Sequence, residues 1–366
     1  MTNRIEALKS WMASHQADAV FLQTRANVFY TTGFDTDPHE RLVASCFFQN
    51  ADPLVVCPGM EMNQVKEEFT GDIIGYSDTD NPWTMLGEAW SSRLDNIKTI
   101  AVERGISWER LKALQTAFPK TSFIEVDEAL EAARLIKDKH EVAILKEAAQ
   151  LADFGVKTGV AALKEGVTEM EVLATIEYAL KKKGVREMAF STMVLFGEKA
   201  GDPHGNPGTR TLKKGDAVLF DLGVIWKGYA SDITRTVFFD HVKDSDQAIY
   251  ETVLTAQMKA LELCKPGTPI GELDQTARGW ISKKGYGDYF PHRLGHGLGI
   301  QVHEFPSMHA NNTEPLKQGM AFTIEPGIYL PNQAGVRIED DVFITENGYE
   351  TFTKYPKELQ IVKSKQ

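Results

Sequence analysis

Cysteine is scarce in this chain of 366 residues: Cys46, Cys57 and Cys264 are odd in number and widely spaced, which argues against a disulfide framework. Long apolar runs are missing as well. None approaches the roughly 18 residues of a membrane-spanning helix. The N-terminus carries charge throughout and reads as an amphipathic helix built on Ile5, Leu8, Trp11 and Met12, not as a signal peptide, so a cytoplasmic protein is expected. Positive charge is in deficit, 40 Lys and Arg against 51 Asp and Glu, for a net charge of −11. Nonspecific binding to nucleic acid or to an anionic membrane needs a basic face, so neither partner is expected. An excess of carboxylates leaves peptide and metal ligands open. What the chain has in quantity is apolar material, 42% of residues, alongside 25% charged residues. That is the composition of a globular protein with ample core, and the length predicts two domains or one large one.

Residues 1–130 alternate strand-like runs (Ala19 to Leu22, Pro53 to Val56, Thr99 to Val102) with helix-period segments such as Glu61–Phe69 and Ser107–Phe118. This predicts a compact α/β domain. A charged helical stretch follows from Leu130 to Ala149, its solvated first half forming the connection to a second domain spanning 131–366.

The second domain contains an internal repeat. Gly166 and Gly267, Glu171 and Glu272, and Gly184 and Gly285 are each 101 residues apart. Gly215 and Gly319, Asp221 and Glu325, and Gly223 and Gly327 share an offset of 104. Thr168 and Glu171 have the spacing of a capping box. Two related halves facing each other across a pseudo-twofold axis are the arrangement expected from only two copies.

Asp221 and Glu325 lie within apolar, strand-like runs, where a carboxylate is depleted and an unpaired one strongly disfavoured. An ion pair explains one such residue. Two at equivalent positions of a repeat, with Asp232 and Glu339 following them, would bring four negative charges together. Such a site needs cations. Three of the nine histidines fall in 291–304, as His292, His296 and His303. His292 and His296 have zinc-helix spacing, but Gly295, Gly297 and Gly299 argue against a helix there. The glycines do not form a phosphate loop either, and are better suited to letting backbone approach a crowded site.

Asp221 with Asp232, Gly295-His296-Gly297, Thr323-Ile324-Glu325-Pro326-Gly327 and Val336-Arg337-Ile338-Glu339-Asp340 resemble the motifs of the pita-bread metallopeptidases. These include prolidase, aminopeptidase P and methionine aminopeptidase. The resemblance extends over the whole chain and implies an α/β (α+β) protein: a creatinase-like N-terminal domain, then a pseudo-twofold pita-bread catalytic domain. It implies Asp221, Asp232, His296, Glu325 and Glu339 as ligands of two divalent metal ions. Oxygen-rich ligation with one imidazole favours Mn²⁺, ahead of Co²⁺ or Zn²⁺. Two such ions would share a water and lower its pKa, and Glu325 would take the proton. The resemblance also implies that His204 and His303 contact substrate.

Further expectations concern the rim of the site. His292 and Arg293 are assigned to substrate binding, Arg293 as a fork for a free carboxylate. Arg337 is expected either to contact substrate or to partner a carboxylate ligand, and Thr234 to hydrogen-bond a ligand. Asp340 is expected to be solvated or paired. The polar segment from Asp35 to Arg41 is expected to be an exposed loop whose His39 reaches a partner's site in a homodimer. The expected activity is hydrolysis of the bond preceding proline in Xaa-Pro dipeptides. The competing expectations are aminopeptidase P, acting on longer Xaa-Pro peptides, and a catalytically dead binding module.

Overall fold

The computed structural model describes residues 2–94 and 96–363. It divides into two units, Met1–Arg134 and Leu135–Gln366.

In the first unit, six strands form one sheet: β1 (Ala19–Leu22), β2 (Ala44–Phe48), β3 (Leu54–Pro58), β4 (Asp72–Tyr76), β5 (Thr99–Val102) and β6 (Ser122–Glu125). Their order is β4-β3-β2-β1-β5-β6. Strands β1, β2 and β3 are buried at every position, as unbroken apolar runs should be when both faces are covered. Helices include Met62–Glu68 and Trp108–Ala117, the latter capped by Ser107, which accepts the Arg110 amide. The N-terminal helix Thr2–His15 buries Leu8 and Met12.

The polar segment from Asp35 to Arg41 connects helix Arg25–Thr32 to β2. Most of its charges are engaged within this unit. Arg25 holds Asp35 (2.6 Å), Arg41 holds Asp78 (3.0 Å), and Asp37 accepts the His39 amide (3.1 Å). The His39 side chain is 73% exposed.

One expectation is corrected between the units. The stretch from Leu130 to Ala149 is not one helix: Asp127–Leu135 ends and Lys139–Ala162 begins anew. Asp138 is the cause, since its carboxylate accepts the His140 and Glu141 amides while Glu141 reaches back to the Asp138 amide. Nor is the break solvated throughout. Lys137 is buried, its amide bonded to the Gly319 carbonyl and its ammonium 3.4 Å from Glu304.

The second unit contributes β7 (Glu187–Met188), β8 (Met193–Phe196), β9 (Ala217–Leu222), β10 (Val224–Trp226), β11 (Tyr229–Ala230) and β12 (Ile233–Phe239) from its first half. Its second half adds β13 (Gly295–Gly297), β14 (Glu304–Met308), β15 (Ala321–Ile324), β16 (Gly327–Leu330), β17 (Ala334–Arg337), β18 (Asp340–Ile344), β19 (Tyr349–Thr351) and β20 (Ile361–Val362). The two principal sheets run β20-β12-β9-β8 and β14-β13-β15-β18-β19.

The repeat is visible in backbone geometry. Helices Glu169–Lys182 and Ile270–Lys283 begin and end 101 residues apart. Gly166 and Gly267 have φ of 83° and 90°, Gly184 and Gly285 93° and 88°, Gly215 and Gly319 83° and 91°. These are left-handed turns that side chains resist, which is why glycine recurs at those offsets. Leu212 donates to the Val167 carbonyl as Leu316 donates to that of Thr268, each at 2.8 Å. Each half also has its own core, one around Val172, Ile176 and Phe220, the other around Leu273, Ala277 and Phe322.

Candidate metal centre

Strand β9 is buried over all six residues, yet its fifth is Asp221. Packing therefore brings a carboxylate into the interior between apolar neighbours. Antiparallel pairing of β9 with β12 puts Asp221 opposite Thr234, and Asp232 immediately precedes β12. In the second half, Glu325 follows β15 directly, and Glu339 lies in the turn between β17 and β18. Two hydrogen bonds donated by backbone amides join the halves here. The Glu339 amide donates to the Thr234 carbonyl (3.1 Å), and the Asp232 amide to Asp341 Oδ2 (3.1 Å).

His296 is held between those carboxylates by β13. A Cβ on Gly295 would stand 1.9 Å from the Thr323 carbonyl oxygen, so only glycine permits this approach. The His296 amide receives support from Thr323 Oγ1 (3.2 Å), which itself donates to Glu325 Oε1 (3.1 Å). His296 Nε2 lies 3.2 Å from Glu325 Oε1 and 3.7 Å from Asp232 Oδ2. Asp232, His296 and Glu339 each offer an atom within 4.8 Å of the others, and all three are buried.

Electrostatics express the crowding. Burial, then the charges of Glu339, Asp221, Asp341 and Glu325, push Asp232 well above the usual carboxylate range. Burial, Glu325 and Asp221 do the same to Glu339. Glu325 goes the other way: burial would raise it, but the hydrogen bond and charge of His296, then His292 and Arg337, draw it down to about 2. It is a carboxylate at neutral pH.

Among the described residues, Asp221 Oδ1, Asp232 Oδ1 and Glu339 Oε1 are buried without a hydrogen-bond partner. An uncompensated buried oxygen of this kind is costly. Such oxygens on Asp232 and Glu339, residues that cluster with the His296 imidazole, fit a hard divalent cation.

Of the two roles expected for Arg337, substrate contact or carboxylate partner, the contacts observed are those of a carboxylate partner. Its Nη2 pairs with Asp221 Oδ2, Nε donates to Thr234 Oγ1 (3.0 Å), and Nη1 donates to the Tyr329 hydroxyl (2.8 Å). Thr234 in turn donates to Glu339 Oε2 (2.6 Å). Asp340 is paired rather than solvated, bonded by Arg235, Gln257 and Lys357 at 2.6–2.7 Å.

His303, His204 and His292 have different surroundings. His303 stands edge-on to His296, ring centroids 4.2 Å apart. Desolvation, then His296 and Arg293, push its imidazole down to about 4, so it is neutral at pH 7. His204 occupies an exposed loop and contributes to the field at His303. Both nitrogens of His292 are engaged, Nδ1 by the Arg293 carbonyl and Nε2 by the Tyr329 hydroxyl, each at 2.8 Å. Arg293 is exposed and donates to Ser307 Oγ (2.9 Å).

Sequence reasoning missed Tyr329, whose hydroxyl joins Arg337 to His292, and Thr323, which spans His296 and Glu325. Tyr329 had a legible signal, a hydroxyl within the apolar strand four residues beyond Glu325. Asp341 Oδ2 accepts the Asp232 amide, and among the described residues its Oδ1 is buried without a hydrogen-bond partner.

Residues 143–346 match the model of metallopeptidase family M24, and residues 4–136 that of the creatinase/prolidase N-terminal domain. The chain belongs to family M24. It is 56% identical to a Bacillus subtilis (strain 168) protein named "Putative dipeptidase YkvY", over 98% of this chain and 100% of that one. Among solved structures, it resembles the prolidase from Pyrococcus horikoshii OT3 (34% identity, TM-score 0.91) and the Xaa-Pro dipeptidase from Bacillus anthracis (32% identity, TM-score 0.92). In both cases the match covers 98% of this chain and 99% of the other.

Proposed function

We propose that the protein is a dinuclear Xaa-Pro dipeptidase, hydrolysing the peptide bond that precedes proline. The observation that supports this reading is the buried cluster of Asp232, His296 and Glu339, with Glu325 3.2 Å from His296 and carboxylate oxygens of Asp221, Asp232 and Glu339 left without a hydrogen-bond partner among the described residues. The likeness to a prolidase and an Xaa-Pro dipeptidase over nearly the full chain supports the substrate class. Two divalent ions, Mn²⁺ by preference, would be held by those five residues; when bound, they supply an acidified water and polarise the scissile carbonyl.

The chain's own residues do the rest. Glu325, a carboxylate at neutral pH, accepts the proton of the attacking water and delivers it to the leaving proline nitrogen. His303, neutral under the same conditions, and His204 hydrogen-bond the substrate as charge develops on its carbonyl oxygen. Arg337 and Thr234 orient Asp221 and Glu339. Arg293 on the rim binds the free carboxylate of the dipeptide, and His292 lies between the rim and the Tyr329 hydroxyl. His39 completes the site in trans within a homodimer. Mixing His39→Ala protein with an Asp221→Asn variant should then regain activity through one intact site per heterodimer, and no regain would confine His39 to its own exposed loop.

The deciding experiment compares an Xaa-Pro dipeptide with the Xaa-Pro-Yaa tripeptide on protein stripped with chelator and reloaded with Mn²⁺. Faster dipeptide turnover is expected. Faster tripeptide turnover would replace this reading with aminopeptidase P activity.

A further inference from the structure

Glu169 is the first residue of helix Glu169–Lys182, and its side chain is wholly buried. Its Oε1 accepts the Phe196 amide (2.9 Å); its Oε2 accepts the Gly208 amide (2.8 Å) and the Lys199 ammonium (2.5 Å). Lys199 also donates to the Asn206 carbonyl (2.7 Å). The segment carrying His204 is thus tied down on its C-terminal side at Asn206 and Gly208. On its N-terminal side, the Pro203 carbonyl accepts from Arg337 Nη1 (3.4 Å).

The repeat shows that the fold itself does not require this carboxylate. The residue 101 positions later, at the start of the matching helix, is Ile270, equally buried. The second half builds the same helix start on an apolar side chain. A fully buried acid with a lysine partner carries a desolvation cost that an isoleucine avoids. What the first half has in return is an anchored loop bearing His204.

We propose that Glu169 and Lys199 are positioning residues that hold the His204 loop at the active site. The inference rests on the role assigned to His204 under the proposed function. Without the clamp, His204 would sample positions away from the substrate; a misplacement of about 1 Å is enough to cost up to ~10²-fold in turnover.

Lys199→Met, and Glu169→Gln as the near-isosteric second variant, test it in both wild-type and His204→Ala backgrounds. A fall in kcat of about tenfold or more is expected for each, with bound metal unchanged. That penalty should vanish when His204 is already alanine. Equal penalties in the two backgrounds, or wild-type kcat in both single variants, would overturn the clamp. A substrate-free readout separates this from failure of the underlying reading. In protein with ¹⁵N-labelled histidine, Lys199→Met should shift the imidazole signal of His204 and leave that of His296 in place. An unshifted His204 signal overturns the clamp whatever the kinetics. Wild-type turnover in His204→Ala would instead remove His204 from the proposed reaction, and the clamp then stands or falls on the imidazole spectrum.

Discussion

Arg337 and Asp221 form a buried ion pair in which, among the described residues, only one carboxylate oxygen is engaged: Oδ2 receives the guanidinium, and Oδ1 has no hydrogen-bond partner. The pair fixes which way Asp221 presents its free oxygen. Arg337→Met removes a positive charge, which favours a cation, but also releases Asp221 and strips the Thr234 hydroxyl of a donor. Loss of orientation should prevail, since partners of metal ligands typically contribute about 10–100-fold in affinity. Titration of Mn²⁺ into stripped protein, followed calorimetrically, should show weakening in that range; unchanged or tighter binding would show that charge outweighs orientation.

Asp221→Asn and Glu339→Gln should abolish bound metal and activity while the fold persists. For Glu339 the effect has a pH signature. Burial and neighbouring carboxylates raise its proton affinity in the folded protein, so the folded, metal-free state binds more protons than the unfolded one. Stability is then lost as pH rises above the unfolded value of about 4. Chelator-treated Glu339→Gln should melt a few degrees above treated wild type at pH 7.5, with the gap closing near pH 4. Added Mn²⁺ should reverse the order, because only wild type gains binding energy. A wild type that melts higher at pH 7.5 without metal would refute this.

Asp340 behaves oppositely. Burial would raise its pKa, but Arg235 and then Lys357 hold it far below the usual range. Its contribution is present above about pH 4 and fades as the solution is acidified further. Asp340→Asn leaves Arg235 and Lys357 without their charge partner, a change of about 3–5 kcal/mol for a buried pair. At roughly 2–4 °C per kcal/mol, melting at pH 7 should fall by about 6–20 °C. The deficit should narrow below pH 4, and a constant deficit across pH would mean that packing, not charge, was lost.

Glu325→Gln should lower kcat more than His204→Ala does, because it removes a metal-holding oxygen and the proton carrier together. His204 offers one hydrogen bond, an effect of about 10²-fold or less. Measurement at saturating Mn²⁺ distinguishes them; the reverse order would move the proton carrier elsewhere.

Asp221, Glu325 and His296 stand out in the sequence because each breaks a local rule. Asp221 interrupts an apolar strand, Glu325 repeats the violation 104 residues on, and glycines flank His296 where a strand would otherwise avoid them. The repeat was legible for a related reason, since left-handed turns demand glycine at equivalent places in both halves. Asp138 was harder to read, because the charged stretch around it is helical in pattern and a capping aspartate looks like any other charge until its carboxylate meets the His140 amide.

Sequence alone determined the repeat and the acidic residues within its apolar runs, since these depend on turn chemistry and burial cost along the chain. Tertiary structure decided what each polar group touches. That Arg337 faces Asp221, that Tyr329 joins it to His292, and that Glu169 reaches Gly208 and Lys199 depend on contacts between positions up to 116 residues apart. Such contacts are set by how the sheets and helices pack, and residue spacing along the chain carries no record of them.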